Sequence, residues 1–127
     1  MTATQKALFA FWSSFGVPCW LQDAVPDDAQ LPYIVFDAVQ GSGMDATLLT
    51  GTVWLRDAGQ GANAQRAEIL DRIAAAVGVS GVRLDVEGGG YMLLYRNTAS
   101  FQRLMQDPED RSVLGGRTVL EAHFYMA

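Results

Sequence analysis

The sequence predicts one α+β domain over residues 1–127: a mixed or antiparallel sheet of about five to six strands, with one N-terminal and one central helix packed on one side. Three observations lead there. Half of the 127 residues are hydrophobic and 18% are charged, enough apolar material for one core without disulfide or metal support. Two segments repeat apolar residues at spacings of three and four, the period of a helix. The remaining apolar segments are short, β-branched or alternating, and they cluster before and after the second helix. That order, α-β-β-β-α-β-β-β, differs from the strict βαβ alternation of a nucleotide-binding sheet.

The first helix is expected over about Thr4 to Phe15, where Leu8, Phe11, Trp12 and Phe15 form one face. Gly16 suits its end, and Pro18 blocks continuation. Cys19-Trp20-Leu21-Gln22 reads as a short strand and Pro26-Asp27-Asp28-Ala29 as a turn, with the aspartates capping backbone donors. Pro32 opens a strand from Tyr33 to Val39, rich in β-branched and aromatic residues. Gly41-Ser42-Gly43-Met44-Asp45 is a connection, and Ala46 to Arg56 is strand-like. The central helix runs from Ala62 to Val77, with Arg66, Ile69, Leu70, Ile73, Ala74 and Val77 in one stripe. Glu68 and Arg72 stand in the favourable i,i+4 order, and Gly78 ends the helix. Val82 to Val86 and Tyr91 to Arg96 form a hairpin across Glu87-Gly88-Gly89-Gly90. The last strand is expected from Arg117 to Met126. Thr118, Leu120, Ala122, Phe124 and Met126 lie on one face, and Val119, Glu121, His123 and Tyr125 on the other.

The composition argues against several functions. A net charge of −5 disfavours specific nucleic-acid binding, because phosphates are repelled and the arginines are scattered. The apolar run Ala7 to Trp12 is too short to span a membrane and has no secretory pattern around it, so a cytoplasmic protein is expected. One cysteine allows no intrachain disulfide. His123, the single histidine, alternates with apolar strand residues, and Cys19 neighbours Trp20 in an apolar strand; neither suggests a nucleophile with its base. One Cys and one His far apart make no zinc site, and Asp107, Glu109 and Asp110 lack the ligand spacing of a calcium loop. Gly59-Gln60-Gly61 has Ala64 where a dinucleotide loop has its third glycine, and Gly88-Gly89-Gly90 leads into a strand. The expectation is therefore no catalytic residue, metal or cofactor, and a structural role rather than an enzyme.

The segment Phe101-Gln102-Arg103-Leu104-Met105-Gln106-Asp107-Pro108-Glu109-Asp110-Arg111 is unusual for a loop, combining apolar anchors with arginines and a carboxylate run. With Val25-Pro26 through Pro32-Tyr33-Ile34, Thr52-Val53-Trp54-Leu55-Arg56 and Gly89-Gly90 through Arg96, it resembles the tail-terminator (tail-completion) proteins of tailed bacteriophages and prophages over about Val25 to Phe124. Ala99-Ser100 and Pro108 depart from that pattern. The resemblance implies a homo-oligomeric ring, a hexamer, that caps the tail tube and meets the head-tail connector. Its location would be the virion, and the host cytoplasm during assembly. Its partners would be copies of itself, the tail tube protein and the connector, with DNA passing an acidic lumen without specific binding. Rings need two complementary patches per subunit. Phe101, Arg103, Met105, Asp107, Glu109, Asp110 and Arg111 are candidates for one, and Gly41, Gly43 and Asp45 for a loop that orders on a partner. The alternatives are a head-completion or neck-connector protein, and a small-molecule-binding homodimer with a deep apolar pocket.

Overall fold

A computed structural model describes residues 1–38, 46–57 and 61–125. The elements in chain order are α1 (Ala3–Ser13), β1 (Cys19–Leu21), β2 (Tyr33–Phe36), β3 (Thr47–Arg56), α2 (Ala62–Val77), β4 (Val82–Asp85), β5 (Tyr91–Arg96), β6 (Gln102–Gln106) and β7 (Val113–Tyr125). The fold is α+β, with a mixed sheet and both helices on one face, as the sequence predicts. The helices follow from local chemistry. Thr2 and Gln5 cap α1 reciprocally: Thr2 Oγ1 accepts the Gln5 N–H at 3.1 Å, and Gln5 Oε1 accepts the Thr2 N–H at 2.9 Å. Gly16 then turns the chain in the left-handed region, at φ +84°.

The strands run β1-β2-β3-β7-β5-β4 across the sheet, with β1 and β2 parallel and the other pairs antiparallel. β7 is the organising strand. One edge pairs with all of β3, while the other pairs first with β6 and then with β5. α1 touches both edge strands, β1 and β4, so the sheet curls around it.

Two expectations need correction. Gln102–Gln106, expected to be loop, is strand β6 and adds a seventh strand to the sheet. β7 begins at Val113, not Arg117, and runs straight through Gly115-Gly116. Glycines weaken a strand when nothing else is considered. Here neighbouring side chains fill the space they leave. A Cβ at Gly116 would sit 2.9 Å from Leu70 Cδ1 of α2, and one at Gly115 would sit 2.7 Å from Trp54 Cζ3 on the opposite face. β2 ends at Phe36, and Val39 lies outside the described residues.

The core lies between helices and sheet. Leu8, Phe11, Trp12 and Phe15 of α1 and Ile69, Leu70, Ile73 and Val77 of α2 pack on Ile34, Phe36, Leu49, Val53, Met92 and Leu120 of the sheet. Phe11 meets Trp12 and Phe15 edge-on, with ring centroids 5.0 and 5.2 Å apart. Polar struts fix α2 in place. Buried Arg66 donates through Nη1 to the carbonyls of Met105 (3.3 Å) and Gly115 (3.2 Å), and through Nη2 to Asn63 Oδ1 (2.9 Å). Gln102 Nε2 donates to the Leu70 carbonyl at 2.9 Å, and Arg96 Nη2 to the Ala74 carbonyl at 2.8 Å.

Of the glycines facing the helices, Gly51 leaves the least room. A Cβ at Gly51 would lie 2.4 Å from Cη2 of Trp12, which is fully buried. The indole cannot yield without disturbing the whole α1 face. Gly51→Ala is therefore expected to cost about 3 kcal/mol through overpacking, read as a lower urea midpoint at unchanged m-value. A change below about 0.5 kcal/mol, the range of ordinary surface substitutions, would show that Trp12 has room to move.

Candidate functional site: a cleft on the uncovered sheet face

The pleat divides β3 cleanly. Leu49, Gly51, Val53 and Leu55 face the helices, whereas Leu48, Thr50, Thr52, Trp54 and Arg56 face away. Pairing carries this division across the sheet. On the uncovered face one row reads Tyr33, Trp54, Gly115, Met105, and the next reads Val35, Thr52, Arg117, Arg103. Since Gly115 has no side chain, the Trp54 indole lies down across β7.

Around this row is an open cleft of about 420 Å³. Ala29 and Leu31, from the chain leading into β2, form one wall. Asp107 and Asp110, from the β6–β7 turn, form the other, with Tyr33, Trp54 and Val113 between them. Arg56 lies along the acidic wall, its Nη1 3.4 Å from Asp110 Oδ2 and donating to Ser112 Oγ at 3.0 Å. The Asp110 carboxyl lies below its ordinary range because the Ser112 hydroxyl and the Ser112 N–H donate to it and Arg56 stands beside it. A smaller cavity of about 130 Å³ adjoins the cleft and is lined in part by Asp37, Thr50, Thr52 and Arg117. The oxygens of Asp37 accept the Thr50 N–H and hydroxyl, each at 2.9 Å. This cavity is well below the ~300–1,000 Å³ of ordinary small-molecule pockets.

The far end of the same face is aromatic. Tyr91 stacks on Tyr125 at 5.0 Å, and Arg83, paired with Asp85, lies 3.9 Å over the Tyr91 ring. His123 meets Tyr95 edge-on at 5.5 Å.

The segment singled out in the sequence is partly internal. Phe101 packs against the core, with the Arg96 guanidinium 5.0 Å from its ring centre. Met105 is half-buried and Arg103 exposed, both on the uncovered face. Asp107 and Asp110 line the cleft, whereas Glu109 and Arg111 are exposed in the turn beyond it. Gly41, Gly43 and Asp45 lie outside the described residues. Tyr33, Trp54, Arg56 and Arg117 were not among the candidates. Their signal is the second phase of the period-two pattern in β2, β3 and β7.

The arginines sort into three kinds. Arg56, Arg72 and Arg83 pair with Asp110, Glu68 and Asp85, while Arg66 and Arg96 donate to backbone carbonyls. Among the described residues, Arg103, Arg111 and Arg117 have no carboxylate partner. The turn at Pro26 also differs from expectation. It is closed by the Ala29 N–H donating to the Pro26 carbonyl at 3.1 Å, and the Asp27 and Asp28 carboxylates cap nothing among the described residues.

Among the described residues no cluster of three or more His, Cys, Asp or Glu is placed to hold a metal ion, and no helix is long and apolar enough to cross a membrane. The chain matches no family model, no curated protein and no solved structure.

Two outcomes follow from the titratable groups. Burial pushes the Cys19 thiol up from 9.0 to about 11. Its thiolate fraction at pH 8 is then about 100-fold below that of a free thiol, so a thiol reagent should label the native protein slowly and the unfolded protein at once. Because the folded-state value is raised, this thiol's contribution to stability is complete below pH 9.0 and is lost as pH rises towards about 11. Asp110 has the opposite sign. Its contribution is present above the ordinary value of 3.8 and is lost as pH falls through the depressed value. An NMR titration of Asp110 should show a midpoint below 3.8, moving up when Ser112→Ala removes the hydroxyl donor.

Proposed function

We propose that this chain is a structural assembly subunit of a tailed bacteriophage or prophage, one that closes into a ring on the end of the tail tube and offers its other side to the head. The observation that carries this reading is convergence. Three of the four stretches behind the terminator resemblance come together at one cleft: Tyr33 from the first, Trp54 and Arg56 from the second, Asp107 and Asp110 from the third. Trp, Tyr and Arg are the residues that dominate binding energy at protein interfaces. The cleft is open, and a protruding partner side chain would fit it.

The remaining features support assembly. The uncovered face is too apolar for a merely solvated one, since it carries Val35, Trp54, Met105, Leu93 and the Tyr91–Tyr125 stack. The net charge of −5 suits a lumen past which DNA slides without sticking.

Purified protein mixed with tail tubes and imaged by negative stain should appear as rings at tube ends. Binding confined to the portal side of capsids would instead make the chain a neck connector, and a dimer that ignores both particles would remove the assembly role. Trp54→Ala, with folding checked by circular dichroism, should weaken capping by about 30-fold or more, the effect of losing an interface hot spot.

A further inference from the structure

Arg103 and Arg117 stand directly opposite each other on β6 and β7, with both side chains on the uncovered face. Like charges directly opposite on a sheet destabilise it. The chain has 14 carboxylates against nine lysines and arginines, so partners for this pair are not scarce. Even so, neither arginine forms an ion pair among the described residues. Arg117 reaches over Thr52, its Nε 3.4 Å from Thr52 Oγ1, and Asp37 beyond is already bonded to Thr50. The arrangement leaves two arginines on neighbouring strands of one face without a carboxylate among the described residues.

The complementary feature is on the same chain. Asp27 and Asp28 are exposed, adjacent, and without a hydrogen-bond or ion-pair partner for either carboxylate among the described residues. The two patches form no ion pair with each other within one subunit. The acidic turn belongs to the chain entering β2, and Arg103 lies three strands away, roughly 14 Å across the sheet at the usual strand spacing. Two different, complementary patches on one subunit make a head-to-tail contact, the kind that closes into rings.

We propose that the Asp27–Asp28 turn of one copy docks on the Arg103–Arg117 pair of the next and sets the ring's head-to-tail junction. This rests on the ring reading and names the contact that forms it. The guanidinium forks offer two-pronged geometry to the carboxylates, and each copy carries one donor and one acceptor.

A charge swap tests it. Arg103→Glu/Arg117→Glu and Asp27→Lys/Asp28→Lys are made separately, and assembly is followed by sedimentation and negative stain, with and without tail tubes. Because Arg117 is half-buried, Arg103→Glu alone serves as the second variant of the basic patch. Wild type should form rings, each charge-swapped variant alone should assemble about tenfold or more weakly, and the equimolar mixture of the two double variants should recover assembly. If wild type forms rings and the variants form them equally well, the proposed contact is wrong while the ring reading stands. Variants that each fail and do not recover on mixing show that the patches do not meet each other. A wild type that makes no ring even on tail tubes overturns both readings.

Discussion

The architecture depends on an absence of side chains where β3 and β7 run together. Gly51, Gly115 and Gly116 lie on this ladder, and each leaves a space that another element fills. Trp12 of α1 sits against Gly51, Leu70 of α2 against Gly116, and Trp54 crosses Gly115 on the other side. Helix α1 can approach β3 because Gly51 has no Cβ, and α2 approaches β7 for the same reason at Gly116. The uncovered face has a flat aromatic floor because Gly115 lets an indole lie down. The energetic balance at Trp12 has two sides. Its Nε1 is buried with no acceptor among the described residues, a cost of about 1–3 kcal/mol. Losing such a ring costs about 3–5 kcal/mol, so apolar contact outweighs the unsatisfied donor.

A second layer of order comes from arginine and glutamine acting as struts. Arg66 is nearly as buried as the core, yet it meets no carboxylate among the described residues; its charge is spent on two carbonyls and an amide oxygen. Those carbonyls belong to β6 and β7, so Arg66 clamps the N-terminal half of α2 to both strands at once. Arg96 donates to the Ala74 carbonyl in the last turns of α2, where a cation also suits the negative end of the helix dipole. Gln102 bonds to α2 from between these two points, at Leu70. The helix is thus held along its length by directional contacts that apolar packing cannot supply. β6, polar in sequence, becomes a strand because its two glutamine side chains have somewhere to bond.

That explains what could and could not be seen in the sequence. Helix α2 runs from Ala62 to Val77, as its apolar stripe and Gly78 indicate, and the β4–β5 hairpin follows its glycine turn. Such elements are written in local periodicity. β6 was hidden because Gln102 and Gln106 resemble loop residues until Leu70, Thr118 and Arg111 are present to receive their bonds. The start of β7 was hidden because Gly115-Gly116 breaks a strand unless Trp54 and Leu70 fill it. The cleft was half legible. Asp107 and Asp110 stood out as an acidic run, but Tyr33, Trp54 and Arg117 become neighbours only through strand register, which no single stretch contains.

An acidic subunit that gathers copies of itself faces an electrostatic problem, because copies each carrying −5 repel at long range. That repulsion decays over a Debye length, about 8 Å at physiological ionic strength. Attraction therefore has to be local and directional, with cations concentrated where the surfaces meet. The chain keeps most of its arginines occupied within the fold, on carbonyls or neighbouring carboxylates. On the uncovered sheet face it leaves two, on neighbouring strands, with no carboxylate among the described residues. A cross-strand arginine pair weakens an isolated subunit and is stabilised once carboxylates arrive from outside. In the assembly proposed here, the same residues that cost stability alone would favour the closed ring, and the net negative charge would discourage any contact that does not bring the acidic turn to that pair.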